Sequence, residues 1–159
     1  RGQQYRASLF QFQGHTASEI IGATPDGRYA SEPLAHGCNP TAGRNTKGLF
    51  VFVYSSAKVD NKKFLGGSLQ IELQPKFFDG KEEIYKYVED FSKAYFRKNG
   101  VQINLNIMDL EQLKDAIIHP DNPEYQNIIV KVTGYTSRFV TLSKSFQEEF
   151  VGRNNYEEL

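Results

Sequence analysis

The chain has 159 residues, enough for one domain with a buried core, and its 19 basic residues balance its 19 acidic residues. This balance argues against a nucleic-acid-binding surface, and no apolar run approaches the roughly 18 residues of a membrane span. The single cysteine cannot form an internal disulfide, and the three histidines (His15, His36 and His119) lack the spacing of metal ligands.

The first third of the chain predicts a strand and then a long irregular segment. Residues 5–13 alternate loosely between apolar and polar side chains, which is typical of a strand. Residues 22–48 are rich in glycine and proline, and Pro25-Asp26-Gly27 is a turn signal because proline fixes φ and glycine permits positive φ. Long irregular segments are uncommon in compact domains unless they are functional, so we expect residues 22–48 to line a buried site.

The middle of the chain predicts a strand and an amphipathic helix. Residues 49–55 form a short apolar run that fits either a strand or the start of a buried helix. Residues 69–73 alternate strictly and predict a strand. Across residues 80–98, apolar side chains recur every three or four positions, which predicts a helix that Asn99 and Gly100 end.

The last third predicts two more strands and two more helices. Residues 101–107 alternate and predict a strand, and Asp109 is a suitable N-cap for a helix over residues 110–118. Residues 128–132 predict a further strand, and residues 144–151 a last helix that Ser143 can cap. Three polar residues share one face of the strand at 101–107: Gln102, Asn104 and Asn106. Taken alone, this face fits a side that contacts solvent.

Residues 130–142 read Val-Lys-Val-Thr-Gly-Tyr-Thr-Ser-Arg-Phe-Val-Thr-Leu. This run resembles the C-terminal signature of glycyl radical enzymes, in which Arg-Val-(Ser/Thr/Ala)-Gly-Tyr is followed by a Phe and a Leu at fixed distances. Lys131 stands where arginine is usual. The positions that fit are Val132, Thr133, Gly134, Tyr135, Phe139 and Leu142.

The resemblance implies that the Cα of Gly134 loses a hydrogen atom and stores an unpaired electron. Such a radical is stabilised when it flattens between the amide nitrogen and the carbonyl group, and a Cβ would oppose that flattening. Taken alone, Thr-Gly-Tyr also fits an ordinary turn glycine after a strand. The residues that we expect to support the radical loop are Val132, Thr133, Tyr135 and Phe139.

Three earlier blocks resemble the same family in the same order. Residues 22–28 read Gly-Ala-Thr-Pro-Asp-Gly-Arg, and residues 32–37 contain Pro-Leu-Ala before a glycine. Residues 56–60 read Ser-Ala-Lys-Val-Asp and resemble a third family block, and Gln102 with Asn104 resembles a fourth. The resemblance therefore spans nearly the whole chain. It favours a polar face of the strand at 101–107 that packs toward the radical loop.

His36 and Cys38 are two positions at which this chain differs from what the family resemblance leads us to expect. His36 stands where the family usually has aspartate, near the active site. Cys38 is the only cysteine, and its His-Gly-Cys-Asn-Pro context is not that of the cysteine that forms a thiyl radical. We interpret Cys38 as a structural thiol, because free cysteines are commonly buried and inert. The catalytic cysteine is then expected outside this chain.

The resemblance implies an α/β fold, the C-terminal portion of a glycyl radical enzyme barrel. We expect one region over residues 1–159, with strands and loops of the barrel in residues 1–79 and helices and the radical loop in residues 80–159. We expect no bound cofactor, because an iron–sulfur enzyme that cleaves S-adenosylmethionine installs the radical. The other expected partners are the rest of the enzyme, a small-molecule substrate and further copies of the chain in a homo-oligomer. The expected location is an anaerobic cytoplasm.

Three functions are compatible with these features. The first is the radical-storing part of a lyase, dehydratase or decarboxylase that cleaves C–O, C–N or C–C bonds. The second is a stand-alone spare part that repairs an oxygen-damaged lyase, although the long block at residues 22–48 argues against it. The third is a catalytically silent α/β interaction domain. The length of the natural reading frame would separate the first from the second.

Overall fold

The computed structural model describes residues 5–9, 17–132 and 134–153. Its helices and strands include, in chain order, α1 (Leu49–Ser56), β1 (Ser68–Leu73), α2 (Lys81–Arg97) and β2 (Gln102–Ile107). They are followed by α3 (Leu110–Ile118), β3 (Ile129–Lys131), β4 (Thr136–Arg138) and α4 (Lys144–Gly152). Helices and strands are mixed along the chain, as the sequence predicts.

β1 and β2 form a parallel pair, with Ser68 beside Gln102 at one end and Leu73 beside Ile107 at the other. Parallel strands need a crossover connection, and here α2 provides it. Every residue of β1 is buried, and α1 and α2 pack on the face that carries its apolar side chains. The first core consists of Leu49, Phe52, Val53, Ala57, Leu69, Ile71, Leu73, Ile84, Phe91 and Tyr95.

The ambiguous apolar run at residues 49–55 forms helix α1 and not a strand. The helix starts after Gly48, whose φ of 80° is a conformation that other residues rarely adopt. Leu49, Phe52 and Val53 are buried against β1 and α2, whereas Phe50 is exposed. A short apolar run of this kind does not reveal its period, so the packing against α2 decides its conformation.

Helix α2 ends where the sequence predicts. Asn99 has a φ of 67°, and the N–H of Gly100 donates to the carbonyl of Tyr95 at 3.0 Å, which closes the last turn. A Cβ at Gly100 would lie 2.2 Å from the ring of Tyr95. Glycine is therefore required here by a close approach, and the chain can turn directly into β2.

The second core lies under β3 and β4, which pair as an antiparallel hairpin with Lys131 opposite Thr136. α3 and α4 pack on this hairpin. Asp109 caps α3 as predicted, because its carboxylate accepts hydrogen bonds from the N–H groups of Glu111 and Gln112. The second core consists of Leu110, Leu113, Ala116, Val130, Val132, Phe139, Phe146, Phe150 and Val151.

The predicted strand at residues 5–13 is only partly within the described residues. Leu9 forms a single parallel bridge with Gly67, and its N–H donates to the carbonyl of Gly66 at 2.7 Å. Residues 5–8 are not in a strand, and residues 10–13 lie outside the described residues. None of the helices within residues 5–9, 17–132 and 134–153 is long and apolar enough to cross a membrane.

Candidate functional site

Gly134 lies at the tip of the hairpin formed by β3 and β4. The N–H of Val132 donates to the carbonyl of Tyr135 at 2.8 Å and closes the connection. Gly134 is exposed and has a φ of 126°, which L-residues rarely adopt, although an added Cβ would meet no atom within 4 Å. The backbone conformation therefore favours glycine, while the space around the Cα is open. Thr133, the residue before it, lies outside the described residues.

The other residues of the predicted radical loop divide between core and surface. Val132 and Phe139 have no exposed side-chain surface and belong to the second core. Tyr135 is 45% exposed. The structure therefore brings Val132 and Phe139 together beneath the hairpin and places Tyr135 beside Gly134 at its tip.

The end of β3 next to the Gly134 loop is held by Asn106, on the side of β3 that faces away from β4. Residues of an antiparallel pair direct their N–H and C=O groups alternately toward and away from the partner strand. Val132 directs its N–H toward β4, so Lys131 directs its backbone groups away from it. The N–H of Lys131 donates to Oδ1 of Asn106 at 2.7 Å, and Nδ2 of Asn106 donates to the carbonyl of Lys131 at 2.9 Å.

These bonds decide between the two predictions for the polar face of β2. Asn104 and Asn106 are only 5% and 6% exposed, so the solvent-facing interpretation is wrong for both. The prediction that this face packs toward the glycine loop is confirmed for Asn106. Gln102 is exposed and donates to Oδ1 of Asn104 at 3.2 Å.

Glu72 lies opposite Asn106 in the parallel register and is almost completely buried. Burial raises the pKa of its carboxyl group from 4.5 to about 7, although the charge of Arg153 and a hydrogen bond with the Asn106 side chain act in the opposite direction. The sequence did not indicate this residue, because an acidic residue in an alternating strand normally faces solvent. Only its non-local neighbours reveal it.

Arg153, just after α4, is a second buried charge that sequence reasoning missed. Its guanidinium carbon lies 5.0 Å from the ring centroids of both Phe146 and Phe150, and its Nη2 donates to Glu149 at 3.4 Å. The carboxylate of Glu149 also contacts Nε2 of His36. His36 and Glu149 are both buried, so this contact ties the irregular segment at residues 22–48 to the last helix.

The segment at residues 22–48 contains no regular helix or strand, as predicted, and side chains hold it in place. Buried Arg28 donates to the carbonyls of Tyr29 at 3.0 Å and Glu32 at 2.7 Å. Asp26 accepts hydrogen bonds from Thr24 and Thr41, and these bonds lower the pKa of its carboxyl group to about 2. These side-chain hydrogen bonds give residues 22–48 a defined conformation although the segment has no regular helix or strand.

This segment also lines a cavity of about 420 Å³ together with α4. His36, Asn39 and Pro40 contribute from the segment, and Glu149 and Arg153 from the end of the chain. Within the part of the chain that the structure describes, no group of His, Cys, Asp and Glu side chains could hold a metal ion.

Cys38 is a free, buried thiol beside the start of β1. Its N–H donates to the carbonyl of Ser68 at 2.9 Å, and its Sγ packs so closely on Gly67 that a Cβ there would lie 2.7 Å away. Burial raises the pKa of the thiol, which disfavours the reactive thiolate. These contacts support the interpretation of Cys38 as a structural thiol.

Comparison with known proteins gives consistent matches over most of the chain. The family described as "Glycine radical" matches residues 34–140. Trans-4-hydroxy-L-proline dehydratase of Clostridioides difficile is 32% identical over 96% of this chain and 19% of its own length. Indoleacetate decarboxylase of Tractidigestivibacter scatoligenes is 32% identical over 88% of this chain and 16% of its own length.

A solved structure matches the fold equally well. The glycerol-bound B12-independent glycerol dehydratase from Clostridium butyricum superposes with a TM-score of 0.81 and 28% identity, over 92% of this chain and 18% of that protein. The chain therefore spans about a fifth of the length of the relatives it matches.

Proposed function

Because the chain belongs to the glycine radical family, we propose that Gly134 is the residue that stores the radical. The fold is an α/β portion of the glycyl radical enzyme barrel. The observation that carries the proposal is the position of Gly134 in the Val-Thr-Gly-Tyr run at the tip of an anchored hairpin. Its φ of 126° is a conformation that L-residues rarely adopt, so the backbone at this position itself favours glycine.

The chain supplies the radical but not the group that attacks substrate. Cys38 is buried, and the raised pKa of its thiol does not suit a reactive residue. The relatives are about five times longer than the chain, so a catalytic cysteine in the rest of the enzyme is the natural hydrogen donor to Gly134. Transfer of that hydrogen atom restores the glycine and leaves a thiyl radical on the cysteine.

The reaction class follows from the relatives and remains broad. Relatives named as a dehydratase and as a decarboxylase match the chain at the same identity. The proposed enzyme is therefore a lyase that cleaves a C–O, C–N or C–C bond of a small molecule. An activating enzyme that uses S-adenosylmethionine and an iron–sulfur cluster removes the hydrogen atom from Gly134, and the chain itself holds no cofactor in this scheme.

Electron paramagnetic resonance of the activated enzyme tests the proposal. The wild-type protein should give a doublet, because one hydrogen remains on the Gly134 Cα, and Gly134→Ala should give none. The matched control is Gly80→Ala, since Gly80 also has a positive φ (92°) and open space at its Cβ position. A doublet in Gly134→Ala, or its loss in Gly80→Ala as well, would contradict the assignment.

A further inference from the structure

Building on the proposed function, we infer that Asn106 is a positioning residue for the radical glycine. Its side chain binds the N–H and the C=O of Lys131, as a neighbouring strand would, and so fixes the backbone that leads into the Gly134 loop. The contact joins the last residue of β3 to the penultimate residue of β2. It therefore connects the hairpin to the buried parallel sheet three residues before Gly134.

The hairpin needs such a connection because it is short. Each of its strands has three residues, and a two-stranded hairpin of this size is marginally stable on its own. Val130 and Val132 anchor it from below through the second core. These apolar contacts fix which face of β3 is buried, and the Asn106 amide adds two directional hydrogen bonds, to the N–H and the C=O of Lys131.

The orientation of the Asn106 amide is itself determined. Its Oδ1 accepts from the N–H of Lys131, and its Nδ2 donates to the carbonyl of Lys131. An exchange of Oδ1 and Nδ2 would place the oxygen before that carbonyl and the NH2 group before that N–H. The backbone of Lys131 therefore selects one amide orientation.

The position of the Gly134 Cα matters because, in the proposed function, the activating enzyme removes its hydrogen atom and the catalytic cysteine later returns one. Hydrogen transfer requires the donor and acceptor atoms to approach closely, and small misplacements reduce rates strongly. A shift of the hairpin backbone also changes the dihedral angles at Gly134, on which the flattening of a radical at its Cα depends. Asn106 acts on Gly134 only through Lys131, so its effect should appear in the hairpin and in the radical.

The test compares two asparagines that make the same kind of contact. Asn39 pairs with the backbone of Gln70 through bonds of 2.8 and 2.9 Å, much as Asn106 pairs with Lys131. Asn106→Leu and Asn39→Leu each remove two hydrogen bonds at similar side-chain volume. Asn106→Asp keeps the shape but places a second acceptor before the Lys131 carbonyl.

The measurements are hydrogen exchange of the hairpin amides and the doublet of the activated enzyme. Asn106→Leu and Asn106→Asp should accelerate exchange in residues 128–138 by about tenfold or more and lower the radical per protein. Asn39→Leu should accelerate exchange at β1 only and leave the doublet as in wild type.

Each alternative result has one meaning. If Asn106→Asp behaves as wild type, Asn106 only fills space and the inference is wrong. If Asn106→Leu loosens the hairpin but leaves the amount and shape of the doublet unchanged, the positioning role is also wrong, while the proposed function stands. If wild type gives no doublet, the proposed function fails, and a hairpin loosened only by the Asn106 variants still supports the anchoring of Gly134.

Discussion

The two cores of the molecule are held together in different ways. The first, around β1 and β2, has two six-residue strands paired along their whole length and covered by α1 and α2. The second, around the hairpin, has three-residue strands, and single side chains such as Asn106 and Phe139 hold it in place. The comparison teaches that the candidate radical glycine lies on the region with less backbone pairing and more dependence on individual residues.

The largest expected effect is a covalent break confined to the second region. Dioxygen should add to the Cα radical of Gly134, and the peroxyl species should cleave the backbone there. Intact mass spectrometry of activated, air-exposed protein should show a fragment that begins near Tyr135. Protein that was not activated should stay intact, and a cut elsewhere or equal cutting without activation would mean that Gly134 is only a turn residue.

Matched phenylalanine substitutions should separate the two regions. Phe139 and Phe91 are both completely buried, one in each core, and loss of either ring should cost about 3–5 kcal/mol. Phe139→Ala should accelerate hydrogen exchange in the hairpin and α4, and Phe91→Ala in β1 and α2. Equal acceleration everywhere in both variants would show that the two cores open as one unit.

A pH-dependent prediction concerns Glu72, where the two regions meet. Its pKa is raised in the folded state from 4.5 to about 7, so the folded protein holds a proton there that the unfolded chain has lost. The free energy of unfolding should therefore fall as the pH rises from 4.5 to about 7, by at most about 3 kcal/mol. The stability is lost because the folded protein must then ionise a buried carboxyl group.

Glu72→Gln should remove this slope, because an amide does not ionise. Urea unfolding at about pH 5 and about pH 8 measures the difference. Glu89→Gln is the control, since Glu89 is exposed and paired with Lys93, and it should keep the wild-type slope. An unchanged slope in Glu72→Gln would show that Glu72 is not the group responsible.

The smallest expected effect lies in the first region, at Cys38. Cys38→Ser places a hydroxyl in a buried site and should cost about 1 kcal/mol. Substantial turnover of the activated enzyme should remain, because the thiol is proposed to be structural. Complete loss of turnover with the radical still present would make Cys38 the attacking cysteine instead.

Local patterns predicted most of the fold. The 3.6-residue period and the glycine after it identified α2, and a carboxylate at Asp109 identified the start of α3. The conformation of α1 could not be predicted, because its short apolar run has no clear period. For the strand at residues 5–13, the described part forms only one bridge, which depends on Gly67 far along the chain.

The sequence predicted the part of the candidate site that consists of consecutive residues. It did not predict the parts at which segments far apart in the chain come into contact. The glycine loop is a continuous motif, so Gly134 could be proposed from the sequence. The contacts of Asn106 with Lys131, and of His36 with Glu149, span 25 and 113 positions. No local pattern encodes such partners, and buried Glu72 contradicts the ordinary expectation for an alternating strand.

The order of the second core along the chain gives a break at Gly134 a wider consequence. β4, Phe139 and the whole of α4 lie on the C-terminal side of the glycine. After cleavage, these elements would be a separate peptide, held only by non-covalent contacts and no longer at the high effective concentration that the intact backbone provides. Its dissociation would uncover Val130 and Val132 and remove the partner of His36. Damage at one Cα would thus remove from the core a segment of about a sixth of the chain, and repair of the backbone at Gly134 would first require that segment to bind again.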